Sequence, residues 1–147
     1  MYDLTLSEWI DDRRLGEALA FAFDAEPADV LLDADLGQPT REGMWLQCTC
    51  SRRGGEFPFT VSVYPQGQPN RPRPTEAVVA ERLHARLRVR VLIPDATPNP
   101  FRWMLVDAAG ARPVDVDVEA MDRDEFVIDR VLTSRREGTG DWVTGAG

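Results

Sequence analysis

Two neighbouring stretches alternate apolar and polar residues with a period of two. In the first, Met44, Leu46, Cys48 and Cys50 alternate with Trp45, Gln47 and Thr49. In the second, Phe57, Phe59, Val61 and Val63 alternate with Pro58, Thr60, Ser62 and Tyr64. Such a period sends one set of side chains to the buried face of a strand and the other set outward. Arg52-Arg53-Gly54-Gly55 lies between the runs and supplies turn residues, so the pair predicts a β-hairpin. Shorter apolar runs predict further strands at Val30–Leu32, at 88–93 with Val89, Val91 and Ile93 inward, at 101–107, at 112–119 and at 126–132. Ala108-Ala109-Gly110 makes 101–107 and 112–119 a second hairpin.

Helical spacing appears in two other places. Ile10, Leu15, Leu19, Ala22 and Phe23 fall on one side of a helix over 7–23, with Glu8, Asp11, Asp12 and Glu17 on the other. Ser7, or Thr5 with Glu8 three residues later, is the expected cap, and Pro27 ends the segment. A second helix is predicted from a Thr75 cap to Leu87, with Val79, Leu83 and Leu87 four residues apart. Residues 65–74 contain four prolines and are expected to be irregular, because proline lacks the backbone donor. A short helical turn fits 120–125. The pattern predicts one α+β domain over 1–137: a mainly antiparallel sheet of about five to seven strands, with two main helices packed on it. Residues 138–147, with four glycines, are expected to form a flexible tail. A chain of 147 residues suits one domain and can bury roughly 70% of its unfolded surface.

Charge divides the chain into blocks of alternating sign. Residues 1–40 hold ten acids against two arginines, residues 41–90 four against nine, and residues 91–147 eleven against six. The formal net charge is −8, and all 17 basic residues are arginine. Such use of arginine for lysine is what a GC-rich genome produces. The net acidity disfavours DNA, RNA and anionic membranes as partners and favours a basic protein surface. The absence of lysine excludes a P-loop, a kinase-type strand lysine and a Schiff-base nucleophile. No secretory leader or membrane-length apolar run is visible, which predicts a cytoplasmic protein of bacterial type.

Several residues invite chemistry, and each has a plainer reading. Cys48 and Cys50 share a strand face, but zinc needs about four ligands and the chain offers one histidine and no second cysteine pair. His84 sits on a helix beside Arg82 and Arg86, with no evident nucleophile to activate. No metal or cofactor is expected. Arg71, Arg73, Arg82, Arg86, Arg88 and Arg90 form a basic series that would suit phosphates with Tyr64 or Trp103 stacking; pairing with the acidic blocks is the stronger expectation.

The segment from Asp115 to Glu125 fails as a calcium loop. Ala120 stands at the sixth position, where glycine is needed, and Phe126 at the twelfth, where a bidentate carboxylate belongs. A strand accounts for it better, with Val114, Val116 and Val118 in the core and Asp115, Asp117 and Glu119 on the outer face. Like charges along one face repel, so either a basic partner relieves them or they keep a sheet edge solvated. The expected partner-binding residues are therefore Asp115, Asp117, Glu119, Asp122 and Asp124, with Trp103 as an aromatic anchor.

In size, acidity and helix-then-antiparallel-sheet order, the chain resembles the small immunity proteins that neutralise bacterial toxins. The resemblance implies a non-catalytic inhibitor that meets a basic toxin surface with carboxylates. The order is also similar to acidic secretion chaperones, which dimerise around a partner segment. A carboxylate-only enzyme is the third expectation, because paired acids suffice for acid–base work.

Overall fold

The computed structural model describes residues 1–32, 45–66, 72–135 and 142–144. Met44, Arg71, most of the proline-rich segment's centre and most of the expected tail lie outside the described residues.

The chain begins with a strand, β1 (Tyr2–Leu6), where Leu4 and Leu6 point into the core. Helix α1 (Asp12–Ala22) starts later than the expected residue 7. Its cap is Asp11, whose carboxylate accepts the Arg14 N–H at 3.0 Å. Neither Thr5 nor Ser7 caps this helix. Thr5 lies buried in β1 opposite Thr60, and the Ser7 hydroxyl accepts the Arg90 N–H at 2.9 Å. A 3-10 turn at Pro27–Asp29 leads into β2 (Val30–Leu32). The predicted hairpin forms as β3 (Leu46–Arg52) and β5 (Phe59–Pro65), antiparallel from Leu46 opposite Pro65 to Arg52 opposite Phe59. Helix α2 (Glu76–Leu87) is capped by Thr75, as the sequence predicts, and closes on Arg88 in the left-handed region. Strands β6 (Val91–Pro94), β7 (Arg102–Asp107) and β8 (Gly110–Val116) follow as an antiparallel meander.

Nine strands join one sheet among the described residues, more than the five to seven expected. Their spatial order is β11-β10-β8-β7-β6-β1-β5-β3-β2, where β10 is Ile128–Arg135 and β11 is Trp142–Thr144. Two strands account for much of the excess: β1 precedes the predicted helix in a stretch where no strand was expected, and β11 falls within the segment expected as a tail. Only the β2–β3 pair is parallel; the other neighbours in this sheet run antiparallel.

The core changes faces across this sheet. On β1, β3 and β5 one face carries Leu4, Leu6, Leu46, Cys48, Phe59, Val61 and Val63, packed with α1 and α2. Their opposite face is polar, with Ser62 donating to Asp3 at 2.9 Å and Thr5 against Thr60 at 3.3 Å. At β6 both faces are apolar: Val91 and Ile93 join the helix side, while Leu92 joins a second core with Phe57, Leu105, Val114, Val116 and Phe126. The second core is covered by α3 (Val118–Asp122) and β9 (Glu125–Phe126).

Strand β8 ends at Val116, three residues short of the expected boundary, because Asp117 caps α3 by accepting the Ala120 N–H at 2.8 Å. Val118 is consequently 49% exposed rather than in the core. At the other side of the fold, Tyr2 donates to the Pro74 carbonyl at 2.6 Å, and the Asp3 N–H donates to Glu76 at 3.1 Å. Burial raises the Glu76 carboxyl above its ordinary value, and the Asp3 N–H opposes the rise.

Candidate partner-binding surface

The hairpin tip and the α3–β9 segment are fastened together. Gly54 and Gly55 do more than turn the chain: as β4 (Gly54–Gly55) they pair in parallel with Glu125 and Phe126 of β9. Glycine is required by proximity, since a Cβ at Gly55 would lie 2.6 Å from the Phe126 carbonyl oxygen, and φ there is +84°. The Glu56 N–H donates to the same carbonyl at 2.8 Å. Arg53 completes the clasp: its guanidinium pairs with Asp124, donates through Nε to the Thr60 hydroxyl at 3.1 Å, and lies 5.3 Å from the Phe126 ring centroid. Asp124 adopts φ +59° at the turn after α3, a conformation that aspartate tolerates better than most residues.

This clasp separates the six expected binding residues into distinct roles. Asp115 is only 8% exposed and bridges two arginines from flanking strands. Its Oδ1 accepts from Arg102 Nε at 2.6 Å and its Oδ2 from Arg130 at 2.9 Å. Asp115 therefore does not share an open, uncompensated acidic face with its neighbours; its charge is balanced within the fold. Asp117 is half-buried and spends its carboxylate on the α3 cap. Asp124 is exposed but tied to Arg53. Glu119 and Asp122 are exposed and, among the described residues, have no side-chain hydrogen bond or ion pair. Trp103 is half-buried, donates to the Pro100 carbonyl at 3.1 Å, and meets Phe126 edge-on at a centroid distance of 5.0 Å.

The sequence reading missed a second surface, at the open end of β3 and β5. Trp9, within the range predicted as a helix, sits instead in the loop between β1 and α1 and is 47% exposed. Its ring packs on Phe59 at 4.3 Å between centroids, and the Arg52 guanidinium lies 4.1 Å from its centroid. Trp9, Arg52, Arg53 and Pro58 line a groove of about 390 Å³. A tryptophan inside a polar stretch with no apolar neighbour four residues before it was the signal available in the sequence.

Two arginines of the basic series, Arg82 and Arg90, are paired within the fold. Arg82 donates to the Ala22 carbonyl at 2.8 Å and pairs with Asp24 at 3.3 Å; Arg90 approaches Glu56 at 3.9 Å. His84 Nδ1 lies 2.8 Å from the Val89 carbonyl and fastens the turn after α2. Cys48 is buried and Cys50 half-buried. Among the described residues no three histidine, cysteine or carboxylate side chains are grouped to hold a metal ion, and no helix is long and apolar enough to cross a membrane. No protein-family model, curated protein or solved structure matches this chain.

Proposed function

We propose that this chain is a non-catalytic protein-binding domain, most specifically an immunity-type inhibitor that neutralises a bacterial toxin in the cytoplasm by meeting its basic surface. The observation that carries the reading is the state of Glu119 and Asp122. Both carboxylates stand on a short helix that the hairpin tip holds in place, and among the described residues neither has a counter-charge. Val118 adds exposed apolar surface beside them. Uncompensated charges around an apolar contact suit electrostatic capture followed by desolvation of a small centre. Asp115 and Asp117 support this surface from within, one by neutralising arginines and the other by starting the helix.

The test is capture from the native host at low salt with the tagged chain, followed by association kinetics on the protein recovered. The partner is expected to be basic. The double variant E119R/D122R is expected to slow association about tenfold at low salt and to flatten the salt dependence. An unchanged association rate and salt slope would remove α3 as the binding surface, and a partner without a basic face would remove the inhibitor reading.

A further inference from the structure

We infer that the groove beside Trp9 is a second binding site, which takes an acidic peptide segment of a partner protein: a glutamate or aspartate side chain with an apolar neighbour. This goes beyond the acidic α3 surface, because the groove carries the opposite charge.

Three observations support it. The Arg52 side chain is exposed and, among the described residues, has no hydrogen-bond or ion-pair partner, whereas its neighbour Arg53 is committed to Asp124 and Thr60. Arg52 is nonetheless positioned, lying over the Trp9 ring at 4.1 Å, so its donors are available without the full loss of side-chain freedom on binding. The floor is also preformed: Trp9 rests on Phe59, a residue almost wholly buried in the first core, and Pro58 closes one wall without a backbone donor of its own. A carboxylate can accept a forked pair of hydrogen bonds from the outward edge of Arg52. An adjacent leucine or aromatic side chain would then cover Trp9 and Pro58. The cavity of about 390 Å³ lies at the small end of ligand-pocket sizes and suits one or two side chains.

Arginine and tryptophan could equally serve a phosphate and a base, but the whole molecule argues against a nucleic acid. A net charge of −8 repels a polyanion over a Debye length, while one or two carboxylates at contact distance meet chiefly the local arginines. The site is therefore selective for short acidic segments over long anions.

The probe is an acetylated, amidated hexapeptide of alternating glutamate and leucine, titrated into the full chain by calorimetry at low salt. Its glutamine-for-glutamate counterpart is the control. A hexathymidylate is titrated in parallel. The acidic peptide is expected to bind at least tenfold more tightly than the control, to weaken with salt, and to shift the Trp9 indole resonance, assigned with W9F. R52Q, an exposed change whose folding is checked by circular dichroism, is expected to lower that affinity about tenfold, with R52K intermediate because a lysine keeps charge but not the planar fork. Equal affinity for the two peptides, an unchanged affinity in a folded R52Q, or tighter binding of the oligonucleotide would each overturn the assignment. E119R/D122R binding the peptide as the parent chain does would support a site independent of α3; loss of peptide binding in that variant would overturn it.

Discussion

At the scale of single residues, this fold uses its charges mostly on itself. Asp115 shows why the sequence misleads. It stands in a row of alternating aspartates and valines, yet its partners, Arg102 and Arg130, come from the strands on either side. Their positions become visible only once the register is known, with Arg102 and Arg130 both opposite Asp115. Glu76 offers a residue whose protonation bears on stability. Its folded-state value is raised, chiefly by burial, so the ionised form is disfavoured in the native state relative to the unfolded chain. The stabilisation linked to this group is complete below its ordinary value of 4.5 and is lost as pH rises through the raised folded value. E76Q, which keeps an acceptor for the Asp3 N–H, is expected to be at least as stable as the parent at pH 7. That advantage should shrink below pH 4.5 in urea titrations at both pH values; an advantage independent of pH would contradict the linkage.

At the scale of elements, legibility tracked locality. The β3–β5 hairpin and α2 were readable because their period, turn and cap lie within a few residues of one another. The first strand was not readable. Tyr2–Leu6 is too short for its alternation of Leu4 and Leu6 to stand out beside the helical spacing that begins at Ile10, and only pairing with β5 and β6 reveals a strand. The clasp between β4 and β9 was hidden for a related reason: two glycines read as a turn, and nothing local shows that another strand docks against them. Substitution tests that reading. Gly55→Ala meets both a strained φ and the Phe126 carbonyl, and should cost about 2–4 kcal/mol. Gly110→Ala shares a positive φ, +102°, but a Cβ there meets nothing within 4 Å, so it should cost only about 1–2 kcal/mol. Denaturant midpoints would rank the two, and G55A alone should hasten amide exchange over 117–126. Equal costs would mean that the clasp contributes little. The candidate site followed the same rule. Glu119 and Asp122 could be picked out as exposed carboxylates, whereas Trp9 became part of a groove only when β3 and β5 brought Arg52 and Pro58 beside it.

At the scale of the whole molecule, two hydrophobic cores on opposite sides of one sheet could in principle melt as two units. Strand β6 argues against that. Val91 and Ile93 belong to one core and Leu92 to the other, and all three are buried. Val91, Leu92 and Ile93 thus act as a shared keel, and no route separates the cores without exposing it. Its amides should be among the slowest to exchange with solvent, at rates set by global unfolding. Leu92→Ala, which removes atoms from the second core alone, should cost about 2–5 kcal/mol and still give a single calorimetric transition. Two resolved transitions would show the cores to be separable. A chain built this way cannot loosen its acidic α3 surface by melting the layer beneath it while the helical half stays folded. Whatever α3 or the Trp9 groove binds must be met by a surface already in shape, so binding at either place should register as a rise in the melting temperature of the entire protein.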